Sequence, residues 1–294
     1  MTKAELYAVS GVSGRTGAAV ARTLLAAGKR VRVIVRTPDN GTVWANQGAE
    51  VAVASLTDMS ALSSALSGAA GAYIISPPQY SQEDLFKQAE MMADTIAEAS
   101  IKAQLPKLVA LSSIGADRSE GVGWISMNRT LEQSLEQTGL PVTFLRAAYF
   151  MENWIPMIQS ALKQGSLSSF LAPLDRKIPM IATDDIGRIA AEAFNEDWNK
   201  VRVIELEGPT SYCPNDLASS LTQRLGEVFD IKAIPETDWA TALQGSGMSE
   251  IAIGGFIEMT QALNSGHIDF VDSAEIDRRK GSITLDDIVT EILP

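Results

Sequence analysis

Cysteine and histidine are nearly missing from this 294-residue chain, with Cys213 and His267 occurring once each. One cysteine and one histidine exclude a disulfide and a zinc cluster within the chain, so no metal site is expected. His267, in Ser265-Gly266-His267-Ile268, reads as a surface turn residue, and Cys213 beside Pro214 as a small buried or half-buried one. Chemistry would therefore have to come from a bound organic cofactor. Positive charge is also short. Lys and Arg total 24 against 36 Asp and Glu, a net charge of −12, which on average repels nucleic-acid phosphates and anionic lipid and excludes neither small molecules nor proteins as partners. The segment Met1 to Ala8 lacks the apolar stretch and cleavage site of a secretory signal, and no apolar run is long enough to span a bilayer. A cytoplasmic location is the resulting expectation.

The chain does contain a regular alternation. To about residue 146, short β-rich runs (6–10, 31–36, 50–54, 72–76, 108–112 and 142–146) alternate with helical patterns (18–27, 82–103 and 125–137). Several runs are apolar at nearly every position, such as Tyr73-Ile74-Ile75 and Val109-Ala110-Leu111, as expected of parallel strands covered on both faces. The fold expected is α/β, a doubly wound parallel sheet of the Rossmann type with a smaller C-terminal α/β lobe. The division expected is 1–148 for nucleotide binding and 149–294 for the substrate lobe. In the second half, helices are expected at 154–163, 183–194, 214–225 and 249–264 and a strand at 201–206, with parts near 178–206 returning to the main sheet. The pair Asp184-Asp185 reads as a helix start favoured by the dipole, not as paired acid and base.

Gly11-Val12-Ser13-Gly14-Arg15-Thr16-Gly17 follows the first strand directly and opens the first helix, the context that makes a glycine motif informative. Gly11 permits the tight turn, Gly14 lets backbone approach a diphosphate, and Gly17 lets the helix pack on the sheet. Free N–H groups at the helix start, with the positive end of its dipole, suit a dinucleotide diphosphate, so Gly11, Ser13, Gly14, Arg15, Thr16 and Gly17 are candidate cofactor-binding residues. At the end of the second strand a carboxylate accepts a ribose 2′-OH, whereas an arginine accommodates a 2′-phosphate. Arg36 occupies that position, with Arg15 as a second cation, and the cofactor expected is NADP (NADPH); Asp39 is the rival that would take an unphosphorylated ribose.

With these elements the chain resembles the NmrA-like, atypical branch of the short-chain dehydrogenase/reductases. The loop 11–17 carries the likeness together with Leu111-Ser112-Ser113-Ile114-Gly115-Ala116-Asp117 and Leu145-Arg146 followed by Tyr149-Phe150-Met151-Glu152-Asn153-Trp154. Leu206-Glu207-Gly208-Pro209, Asp238-Trp239, Gly247-Met248 and Ala262-Leu263-Asn264 extend it over nearly the whole chain. That branch includes NAD(P)H-dependent quinone and azo-dye reductases and redox-sensing regulators, so the resemblance implies either activity. In typical members of the superfamily a Tyr-x-x-x-Lys pair donates the proton; here Trp124 and Asn128 stand at the corresponding places. A tryptophan is no general acid, and Asn128 can hydrogen-bond a nicotinamide ribose but carries no charge with which to lower a neighbour's pKa.

Other candidates lie at the carboxyl ends of strands, where ligands bind in such sheets. They are Ser55 and Leu56 for the adenine side, Ser76 and Pro77 bordering the cofactor, and Ser112 near the nicotinamide. Tyr149, Phe150 and Asn153 are implied by the resemblance to line the nicotinamide and substrate side, and Tyr149 and Ser113 are the weak nominees for a catalytic role. The functional expectation is an NADPH-dependent oxidoreductase passing hydride to a small quinone, azo or similar acceptor. Its rival is a non-catalytic NADP(H)-binding sensor with a regulatory protein partner, and a homodimer is compatible with both. A sugar-nucleotide epimerase ranks third because it too needs the missing tyrosine.

Overall fold

The computed structural model describes residues 5–271 and 276–293. In chain order the first half comprises β1 (Leu6–Val9), α1 (Arg15–Ala26), β2 (Arg30–Val35), α2 (Thr42–Ala45), β3 (Glu50–Val53), α3 (Met59–Leu66), β4 (Gly71–Ile74), α4 (Leu85–Lys102), β5 (Leu108–Ser113), α5 (Ser126–Glu136) and β6 (Val142–Ala147). The second half comprises β7 (Tyr149–Phe150), α6 (Ile155–Gln164), β8 (Ser166–Ser169), β9 (Met180–Ile181), α7 (Thr183–Ala193), β10 (Arg202–Glu207), α8 (Pro214–Leu225), β11 (Asp230–Ala233), α9 (Trp239–Ala242), α10 (Glu250–Ser265), β12 (Asp277–Lys280) and α11 (Leu285–Ile292).

Eight strands form one parallel sheet in the order β3-β2-β1-β4-β5-β6-β10-β12. The fold is thus doubly wound α/β, and the direction of winding reverses between β1 and β4. Alternation along the strands explains why both faces are apolar. Tyr7, Val9, Tyr73, Val109 and Leu145 pack towards α1 and α7, whereas Ala8, Ala72, Ile74, Ala110 and Phe144 pack towards α3, α4 and α5. A further core, including Trp154, Ile158, Leu217, Leu221 and Ile288, lies among α6, α8 and α11.

The expected strands and long helices appear within a few residues of the patterns. Four elements that the patterns missed do so for visible reasons. Helix α3 is capped by Asp58, whose carboxylate accepts from Ser60 N and Ala61 N at 3.1 and 3.0 Å, and α11 by a reciprocal Thr284–Asp287 box. Strand β12 reads Asp-Arg-Arg-Lys and carries no apolar period. It is an edge strand held by charge, with Arg278 and Lys280 paired to Glu205 and Glu207 of β10 at 2.8 and 3.3 Å. Strand β8 is a serine-rich segment whose partner, β11, is more than 60 residues away, too distant for local pattern to reveal.

Two packing features have measurable consequences. Gly187 of α7 faces α1, and a Cβ there would stand 2.3 Å from the Ala19 side chain and 2.7 Å from its backbone carbon. Gly187→Ala is expected to lower stability by about 1–3 kcal/mol through overpacking. Its denaturation midpoint should fall with the slope unchanged; an unchanged midpoint would mean that the helices part freely. Glu196 is gripped by Arg279 at 2.6 Å and Arg202 at 2.7 Å, which hold its carboxyl below the ordinary 4.5. A depressed folded value gives stability that is present above 4.5 and lost as pH falls through the folded value. Glu196→Gln should therefore lose less stability than wild type between neutral and acidic melts.

Candidate functional site

The glycine loop lies at the carboxyl end of β1, beside the switch between β1 and β4. Pairing of the two strands continues into it, since Ser10 N donates to Tyr73 O at 3.0 Å and the Ser10 hydroxyl accepts from Ile75 N at 3.1 Å. Gly11 takes φ +70, and a Cβ on it would stand 2.2 Å from Ile75 Cδ1. A Cβ on Gly17 would be 2.5 Å from the Gly11 carbonyl and Ser10 O, so only glycine lets α1 begin this close to the turn. Gly14, extended at the helix start, has no side chain to cap it, and the first turn of α1 holds no acid. The N–H groups of that turn are thus offered to an external acceptor, with Ser13, Gly14 and Arg15 exposed and Thr16 and Gly17 buried beneath.

Two hollows meet over this loop and share the β4–α4 connection Ile75, Pro77, Pro78 and Tyr80. The first, about 480 Å³, runs past Gly11, Ser13 and Gly14 to Arg36, Ser55 and Leu56. Among the described residues Arg36 is the one charged side chain that lines it; Asn40 reaches it and Asp39 does not. Arg15 borders a different depression with Glu152 and Asp184, so the structure does not place the two arginines on one hollow. The Ser55 hydroxyl contacts that of Thr57 at 2.8 Å.

The second hollow, about 560 Å³, lies over the ends of β4, β5 and β6 and gathers Thr16, Ser76, Asn128, Tyr149, Phe150 and Asn153. Its far wall is aromatic. Trp124 stacks on Tyr80 with ring centroids 4.0 Å apart and meets Phe256 at 5.3 Å, and its indole N–H donates to Ala252 O at 2.8 Å. A Cβ on Gly123 would fall 2.0 Å from Gly255 O, and one on Gly255 2.6 Å from the Trp124 ring, so α10 lies directly on the turn carrying Trp124. Phe256, Met259 and Leu263, spaced three and four residues apart on α10, complete the wall. Sequence reasoning gave none of these three a place in the site. Their period marked a helix face without saying what it covers.

Both serines ending β5 have their hydroxyls engaged. Ser113 donates to Ile114 O at 3.0 Å, and Ser112 donates to Glu132 at 2.5 Å. Glu132, buried on α5, is gripped by Arg146 of β6 through bonds of 3.0 and 2.7 Å. Asn128, half-buried on the same helix, has no side-chain hydrogen bond among the described residues and is a neutral donor in the hollow. Burial pushes the Tyr149 phenol up to about 12, against a smaller downward pull from Asn153, and burial alone pushes Tyr80 to about 12. Both are neutral hydrogen-bond donors at physiological pH and weak acids. Of the acidic pair at the start of α7, Asp184 pairs with Arg22 at 2.9 Å while buried Asp185 accepts from Ser282 N and Ile283 N at 2.8 Å, which ties down the chain after β12.

Fold and loop together define a Rossmann-type α/β protein with a cleft at its topological switch. More narrowly, the NmrA-like family model matches residues 3–282, and the chain belongs to that family. It is 28% identical to quinone oxidoreductase 2 of Escherichia coli over 83% of each chain. It is 25% identical to the (4-alkanoyl-5-oxo-2,5-dihydrofuran-3-yl)methyl phosphate reductase of Streptomyces griseus, over 88% of this chain and 87% of that one. The crystal structure of the Escherichia coli NADPH-dependent quinone oxidoreductase complexed with NADPH superposes with a TM-score of 0.81 at 25% identity, covering 97% of this chain and 99% of that one.

The buried ion pair under the second hollow makes a direct prediction. Glu132→Ala leaves the Arg146 guanidinium and the Ser112 hydroxyl without their partner and is expected to cost about 3–5 kcal/mol. Chemical denaturation measures this; a loss under about 1 kcal/mol, the surface-pair range, would show that solvent reaches the pair.

Proposed function

We propose that this protein is an NADPH-dependent oxidoreductase that passes hydride to a small quinone, azo or similar acceptor. The observation that carries the reading is the pair of adjoining hollows at the strand switch, one bordered by a cation and an uncapped helix start and the other aromatic and uncharged. These residues fit a dinucleotide. The Gly14 to Thr16 turn would hold the diphosphate, Arg36 with Asn40 the ribose 2′-phosphate, Ser55 and Leu56 the adenine side, and Asn128 the nicotinamide ribose. Bound NADPH supplies the hydride. The chain's own part is to hold an acceptor ring against the nicotinamide and keep bulk water from that face, with Asn128 and Tyr149 as neutral donors to an acceptor oxygen. Because Tyr149 is a weak acid and both Ser112 and Ser113 are engaged, the single proton that must accompany the hydride is assigned to water, taken up as the reduced anion leaves the hollow. A quinone or azo acceptor tolerates that far better than a ketone.

The same engaged serines and weakly acidic phenol favour, as a second reading, an NADP(H) sensor that acts through a protein partner. A sensor must distinguish the two redox forms in its own or its partner's binding. NADPH oxidation across a panel of quinones separates the two readings: turnover is expected, and complete inertness with tight NADPH binding would leave only the sensor. Calorimetric titration should show preference for NADPH over NADH, and Arg36→Asp should abolish it by removing a charge-assisted contact of about 1.5–3 kcal/mol, roughly tenfold or more in affinity. An unchanged preference in that variant would assign the 2′-phosphate to other residues.

A further inference from the structure

Among the described residues, no Asp, Glu, Lys, Arg or His lines the hollow beyond the glycine loop. Glu132 and Arg146, the charged pair beneath the lining residue Ser112, are bonded to each other and so offset one another. Polar atoms in the wall are engaged as well. The Trp124 indole N–H goes to Ala252 O, the Ser113 hydroxyl to Ile114 O, and the Ser76 hydroxyl to Met92 Sδ at 3.5 Å. What remains is a π and thioether surface from Tyr80, Trp124, Phe256 and Met259, with neutral polar groups at Asn128, Tyr149, Asn153 and the Tyr80 hydroxyl. An ionised ligand group brought here would lose hydration and gain neutral donors at best. A flat ring with conjugated carbonyl oxygens would lose little, because such oxygens need only neutral donors.

We propose that the acceptor site selects uncharged planar rings and rejects their sulfonated, carboxylated or phosphorylated counterparts, with the absence of a lining cation as the specificity determinant. This rests on the reductase reading and sharpens it. It also sets the chain apart from the Streptomyces griseus relative, whose name specifies a phosphate ester. Arg36 lines the other hollow and offers no charge to a ring held here.

The test uses a matched pair, 2-methyl-1,4-naphthoquinone and 1,4-naphthoquinone-2-sulfonate. Each is titrated calorimetrically into the full chain saturated with adenosine 2′,5′-bisphosphate, which occupies the Arg36 hollow without supplying a nicotinamide. The sulfonate should bind about 100-fold more weakly, the order expected for partial desolvation of an unpaired ion. The difference should persist at high salt, where repulsion by the net charge of −12 is screened. Met259→Arg should raise sulfonate affinity about tenfold, and Met259→Gln, similar in length but neutral, should not. Equal binding of the two rings, binding of neither, a difference that vanishes in salt, or an equal gain with glutamine would each overturn the proposal. Discrimination in binding without NADPH oxidation by the neutral ring would overturn the reductase reading and leave the selectivity standing. Failure of the bisphosphate to bind would instead count against the assignment of the cofactor.

Discussion

The close approach of α1 to the end of β1 is the constraint from which the rest of the site follows. Gly17 lies against the Ser10 and Gly11 carbonyl groups at a distance that no Cβ tolerates, so the first turn of α1 opens directly over the strand end. Because that turn has no capping side chain, its N–H groups are available at the place where the sheet reverses its winding. The β1–β4 pairing through Ser10 and Tyr73 sets Ile75 to Tyr80 across the same opening, which divides one cleft into two hollows. Had α1 begun a residue later or farther out, its N–H groups would no longer converge on that opening.

The division of charge between the hollows is the second organising feature. One end has an arginine and small polar side chains; the other has aromatic rings and neutral donors. Charge nearby is not absent but cancelled, because Glu132 and Arg146 satisfy each other and Ser112 beneath the floor. Trp124 serves as a wall that links the β4–α4 connection to α10, and Asn128 offers a donor without a charge.

Much of this was legible in the residues themselves. Strand runs, helix ends and the spacing from Gly11 to Gly17 are local signals whose physical causes, burial on both faces and a turn that tolerates no side chain, operate over a few residues. Arg36 could be picked out for the same reason, since it stands at the end of the second strand. Legibility failed where the partner is remote. Nothing near Ser112 announces Glu132 twenty residues away, and the charged run of β12 looks unlike a strand until it lies beside Glu205 and Glu207. Likewise, the stripe Phe256, Met259 and Leu263 has the same spacing whether it covers a core or a ligand site.

Local composition and spacing therefore determined the doubly wound sheet, the glycine turn and the cation at the end of β2, because each depends on contacts within a short stretch of chain. Only tertiary structure decided which hydroxyls are free, which arginine borders the cleft and what closes its aromatic end. The engaged hydroxyls depend on α5 meeting β6 beneath β5, and the aromatic wall on α10 reaching Trp124 from more than a hundred residues away, so these hydrogen bonds and ring contacts exist only once the elements have met.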